Sequence, residues 1–172
     1  MKKCMEIINA NGGWDRTPEE GANTNPVLVD EFLKGCRDAG IVVNMPVAKH
    51  HGGAGLTIAM KNWMGAVDDR KFRHKNDLHQ CIADIATFIK PNWTIIDATR
   101  TMYDKGPQGP ANELKIQNIL IVSKDQVAAD AYAAKTLFPE AIYEKAKYIR
   151  IASEMGLGII DVEKMNVRKF EV

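Results

Sequence analysis

Apolar and polar positions follow two rhythms along this chain. The first is a set of short, mostly apolar runs rich in β-branched residues: "IVVNM" (41–45), "WTIIDAT" (93–99) and "IQNILIVS" (116–123). Their length and composition predict strands. The second rhythm is helical. Val29, Phe32, Leu33 and Cys36 share a helical stripe that starts after Pro26 and runs to about Ala39, with Gly40 as its stop. Leu78, Ile82, Ile85 and Ile89 form another, with Asn76 or Asp77 as N-cap and Pro91 beyond its end. Asp125 caps an alanine-rich helix to about Leu137, and Pro139 opens one that ends near "MGLG" (155–158). "LTIAMKNWM" (56–64) reads as a helix entered from a glycine turn, and "VRKFEV" (167–172) as a last strand. Residues 1–25 form an irregular lead-in, and 66–76 and 104–112 form loops.

Strands alternating with helices predict one α/β domain over residues 1–172. The expected architecture is a Rossmann-like three-layer sandwich with a mostly parallel sheet.

Composition narrows the function classes. At 172 residues, 45% hydrophobic and 26% charged, the chain can bury a core without disulfides or metals. A formal net charge of +1 offers no field for nucleic acid or an anionic membrane. No apolar run is long enough to span a bilayer. The basic start "MKKCMEIINANGG" leads into an apolar stretch too short and broken for a signal peptide. A cytoplasmic protein is the expectation. Cys4, Cys36 and Cys81 are far apart and form no C-x-x-C pair. A disulfide framework, a zinc ribbon or an iron–sulfur cluster within the chain is therefore not expected.

Candidate chemistry gathers where the strands end, the edge at which open parallel sheets bind ligands. The first strand runs into Lys49, His50 and His51, and then Gly52, Gly53 and Gly55. A glycine turn leading into a helix would aim backbone N–H groups at an anion, with Lys49 and a histidine adding charge. "HHGGAG" is neither a dinucleotide fingerprint nor a P-loop, so it names no nucleotide. The bland alternative is a tight crossing that only needs glycine. The second strand ends on Asp97, Thr99 and Arg100 and reaches Gly106. The third ends on Ser123, Lys124 and Asp125.

Neighbouring His50 and His51 point opposite ways in extended chain, and His74 and His79 are badly spaced for shared ligation. A zinc, iron or nickel site would need one histidine from each pair with Asp97 or Asp125. Lys61 and Asn62 sit among apolar residues; buried, Lys61 would act as a base or hold an anion, and otherwise it snorkels. Asp130, inside "VAADAYAA", needs a backbone N–H or a cation as partner, and Asp84 reads as structural.

The segments "NMPVAKHHGGAGLTIAMKNWMG", "IADIATFIKPNWTIIDATR", "KGPQGP", "SKDQVAADAYAA" and "EMGLG" occur in that order. Together they resemble the family called domain of unknown function 362, over about residues 37–165. Members are often described alongside iron–sulfur proteins, which implies an iron–sulfur protein partner. They usually carry a further N-terminal α/β unit, so this chain resembles their later part, and the missing portion would supply part of the site; a third expectation is a remnant that folds only as a homo-oligomer. By resemblance the pattern positions are Lys49, His50, Lys61, Asn62, Asp84, Asp97, Gly106, Pro107, Asp125 and Asp130. The leading expectation is an enzyme, or half of one, for a small anionic molecule. Lys49 and Lys61 would hold the anion, and His50 or His51 would move a proton, as on a hydroxy acid. Asp97 or Asp125 would orient the histidine or a metal. The alternative is a non-catalytic module of an iron–sulfur redox system.

Overall fold

The computed structural model describes residues 34–36, 38–65, 77–106 and 109–171. The lead-in, most of the first helix, His74 and Pro107 lie outside them. Five strands form one sheet: β1 (Val43–Asn44), β2 (Val47–His51), β3 (Gly55–Thr57), β4 (Trp93–Met102) and β5 (Leu114–Ser123). β1 and β2 both run parallel to β4, whereas β3 pairs antiparallel with β2 and β5 antiparallel with β4. Three of the five strands thus share a direction, and the chain is an α/β protein.

Met45 and Pro46 separate β1 from β2 without ending the ladder. The Pro46 carbonyl accepts the Asp97 N–H at 2.8 Å, so the residue that lacks a donor still supplies an acceptor. β1 and β2 therefore lie end to end along one side of β4, and β5 takes the other side.

The helices are α1 (Ala59–Asn62), α2 (Leu78–Phe88), α3 (Gln126–Leu137), α4 (Glu140–Lys145) and α5 (Tyr148–Glu154). Asp77 caps α2 by accepting from the backbone N–H of His79 and Gln80, and Asp125 caps α3 through Val127 and Ala128. The helix expected from Pro139 is two helices, broken at Ala146 and Lys147. The tail 167–171 carries no strand. "LTIAMKNWM" divides: its first residues finish β3, and only Ala59–Asn62 is α-helix.

Ala48, Leu56, Ile96, Ala98 and Ile121 of the sheet pack with Met60, Ile82, Val127, Ala134 and Ile149 of the helices in one core. That core lies on one face of the sheet. Of the three layers expected, the described residues supply two, the sheet and one layer of helices. The alternate positions of the strands stay exposed, with Val47, Trp93, Leu120 and Val122 among them.

Asp125 also binds the far end of the chain. Its second carboxylate oxygen accepts the Ile159 N–H at 2.8 Å. A Cβ on Gly158 would collide with that carboxylate, so the "MGLG" turn needs glycine for this close approach. Replacing Asp125 by Ala is expected to remove about 2 kcal/mol of stability, the upper end for a lost cap. Urea denaturation checks this, with an unchanged m-value expected.

Candidate functional site

The residues singled out in the sequence gather in two places, with the remaining acids scattered elsewhere. The first is the shared carboxyl end of β2 and β4, where Lys49 pairs with Met102. Lys49 is partly buried and its ammonium donates to the Val47 carbonyl at 3.5 Å; burial lowers its pKa. His50 is tied to the loop after β4. Its Nδ1 accepts the Gly106 N–H at 3.2 Å, which leaves the neutral ring's proton on Nε2. Nε2 faces the Asp104 carboxylate at 3.8 Å. A Cβ on Gly106 would collide with the His50 carbonyl, so the loop closes on β2 only with glycine there.

His51 has a different task. Its Nδ1 accepts the N–H groups of Gly53 and Ala54, at 3.2 and 3.0 Å. Those amides were expected to face an anion at a helix start. The segment is instead the turn of an antiparallel hairpin, with His51 paired to Gly55, and no helix opens from it. Gly52 would meet nothing with an added Cβ, and Gly53 only ordinary contacts. Gly55 is the constrained one, with φ at +74° and backbone atoms packed against it.

The second place is interior. Asp130 of α3 is fully buried, and its two oxygens accept the N–H groups of Ala59 and Met60 at 2.6 and 3.1 Å. The partner that this carboxylate needs is the opening of α1. Burial raises its pKa to about 7 against the pull of those two bonds. The Tyr148 hydroxyl faces the same carboxylate short of a well-formed hydrogen bond, and His79 stacks on the Tyr148 ring at 6.3 Å. Burial lowers the His79 pKa. Asn62 donates to Asn44 at 2.9 Å, and Asn44 donates to the Ala59 carbonyl at 2.9 Å. Lys61 is 9% exposed beside them. It does not share a helix face with Thr57, because Thr57 belongs to β3. Asn44 and Tyr148 escaped the sequence reading. A polar residue inside a β-branched run was the signal for Asn44; Tyr148 carried none.

The remaining acids share no common place. Asp97 lies on the outer face of β4, opposite Val47 and Leu120. It accepts from the Thr99 hydroxyl and amide, which hold it below the usual carboxylate range. Asp125 follows Ser123, which pairs with Thr94, whereas Lys49 pairs with Met102. At about 3.3 Å per residue the two ends are roughly 25 Å apart. Antiparallel β5 thus carries Asp125 to the opposite edge of the sheet. The carboxylate beside His50 is Asp104, and the orienting role expected of Asp97 or Asp125 is corrected accordingly. Asp84 is exposed and accepts from Gln80.

Among the described residues no three His, Cys, Asp or Glu side chains come together as a metal-ligand set. Cys36 and Cys81 are partly buried thiols. A shallow depression of about 230 Å³ between Tyr143, Lys147, Arg150 and Ile160 is lined by none of the residues above. No helix among the described residues is long and apolar enough to cross a membrane.

The architecture is thus that of an α/β domain whose parallel strands end on a lysine and a loop-tied histidine. Its family pattern agrees: the chain belongs to the family described as Domain of unknown function (DUF362), which matches residues 37–135. That span is more than half of the chain and contains every position from Lys49 to Asp130. No curated protein and no solved structure matches it.

Proposed function

We propose that this chain binds a small anionic molecule at the carboxyl ends of β2 and β4, as an enzyme or as one half of an enzyme. The observation that supports this is the tying of His50. Gly106 holds the Nδ1 side and directs the Nε2 proton towards Asp104, and the half-buried Lys49 precedes His50 on the same strand. A fixed tautomer at a strand end that also carries a poorly hydrated cation suits proton transfer on a molecule that carries a carboxylate or phosphate. Lys49 holds the anion, and His50 carries the proton. Isomerisation or racemisation of a hydroxy acid is the reaction class these parts would serve. Gly53 and Ala54 contribute no amides, since His51 takes both. Lys61, Asn62 and Asp130 support the fold beneath rather than meet the ligand.

The test is an NMR titration of the His50 ring with inorganic phosphate and with lactate, followed by lactate in D2O. Saturable shifts at His50 are expected, weakened about tenfold or more by Lys49→Ala through loss of a charge-assisted contact. His50→Gln should keep phosphate binding and abolish exchange of the lactate α-hydrogen. A His50 resonance indifferent to both probes would remove the reading.

A further inference from the structure

Asp104 faces His50 at a distance that leaves room for a third atom. Its carboxylate oxygen lies 3.8 Å from His50 Nε2, beyond the roughly 2.7–3.2 Å of an N–H···O bond. An oxygen about 2.8 Å from each of the two fits between them. Solvent reaches the pair from the carboxylate side, since the Asp104 side chain is 57% exposed and that of His50 only 12%.

The loop fixes this separation. The same Asp104 oxygen accepts the Lys105 N–H at 2.8 Å. Lys105 stands in the left-handed region, with φ at +54°, a conformation that lysine keeps only where its surroundings hold it. Its ammonium reaches the Glu113 carboxylate at 2.8 Å, and the Tyr103 N–H donates to the Glu113 carbonyl at 3.0 Å. Residues on both sides of Asp104 are thus closed on Glu113. The Gly106 N–H, next along, holds the other side of the His50 ring.

The two facing groups have opposite hydrogen-bonding sense. Nε2 of the neutral ring donates, and the carboxylate only accepts. A hydroxyl satisfies both at once: its oxygen accepts from Nε2–H and its proton goes to Asp104. A keto oxygen accepts from Nε2–H but sets its lone pairs against the carboxylate. An ammonium donates to Asp104 but gives Nε2–H no acceptor. A carboxylate or phosphate in the gap would bring like charge against Asp104.

Resting on the anion site proposed above, we infer that Asp104 is its specificity-determining residue, selecting a ligand that places a hydroxyl, rather than a keto or amino group, between Asp104 and His50 Nε2.

NMR titration of the His50 ring in the full chain, with lactate, pyruvate and inorganic phosphate, tests this. Lactate is expected to bind about tenfold or more tighter than pyruvate, because an analogue without the hydroxyl leaves the site's own polar groups unpaired. Asp104→Asn keeps an acceptor oxygen for the Lys105 N–H and adds N–H donors that suit a keto oxygen. It should bring the two affinities within about twofold, without weakening phosphate binding or lowering the thermal transition. A ring that shifts with phosphate but with neither organic acid, or equally with both, overturns the role of Asp104 and leaves the anion site standing. So does a preference for lactate that Asp104→Asn keeps. A His50 ring indifferent to all three ligands overturns both.

Discussion

Replacing Asp130 by Ala is expected to cost about 3 kcal/mol of stability. The change leaves two buried amides, those of Ala59 and Met60, without an acceptor. α1 is only four residues long and has no other side-chain cap, so its opening turn depends on this carboxylate. Urea denaturation reads the loss. A cost below about 0.5 kcal/mol, the level of an uninvolved surface change, would show that α1 is held by something else.

The same residue sets a pH dependence whose sign can be worked out. Its pKa is about 7 in the folded chain against the ordinary 3.8 of a free carboxyl group. Between those limits the native state binds more protons than the unfolded state. Stability therefore falls as pH rises through the window and levels off above about 7. The full span of about three units corresponds to about 4 kcal/mol. His79 acts in the opposite direction, since its lowered pKa costs stability as pH falls. Comparing the wild type with Asp130→Asn removes that common part. Between pH 4 and 7 the variant's stability should fall less, or rise more, with pH than the wild type's, measured as urea midpoints across a pH series. Parallel slopes for the two proteins would show that Asp130 does not titrate in this range.

What could be read from residues alone was the run, not its direction. "IQNILIVS" announces a strand, and β5 is there, but nothing in a β-branched run says which way it pairs. The connection did carry that information. The connection from β4 to β5, residues 103–113, is only eleven residues long and its described residues carry no α-helix, whereas a parallel return normally needs a crossover of a dozen or more residues. That oversight moved Asp125 to the wrong edge and made three strand ends look like one site. Lys49, His50 and Gly106 survive as neighbours because β2 and β4 are parallel and end together. Pro46 is no barrier within that run: it removes a donor at one residue, not the ladder, and β2 continues to His51. β3 is three residues long, too short for any period to show, so its residues were absorbed into the helix that follows.

In that short hairpin a single methyl group should do marked damage. Gly55→Ala is expected to cost about 3 kcal/mol, from two separate sources. The backbone at Gly55 has φ at +74°, where an L-residue is strained by about 1–2 kcal/mol. The new Cβ would also sit 2.8 Å from the Ala146 nitrogen and 2.9 Å from the Lys145 carbonyl carbon. Those are main-chain atoms at the break between α4 and α5, and they cannot swing aside as a side chain would. Overpacking of this kind costs about 1–3 kcal/mol. Gly52→Ala is the matched control in the same turn, since its Cβ would meet nothing within 4 Å and should change stability by under about 0.5 kcal/mol. The contrast also bears on function. His50 pairs with Leu56, the residue after Gly55, so pushing β3 off Ala146 tilts the strand that presents His50 to Gly106. Gly55→Ala should therefore weaken phosphate binding as well as stability, whereas Gly52→Ala should leave both intact. Equal unfolding midpoints for the two variants would mean that the α4–α5 junction yields, and that the hairpin is held by its own ladder rather than by the helices behind it.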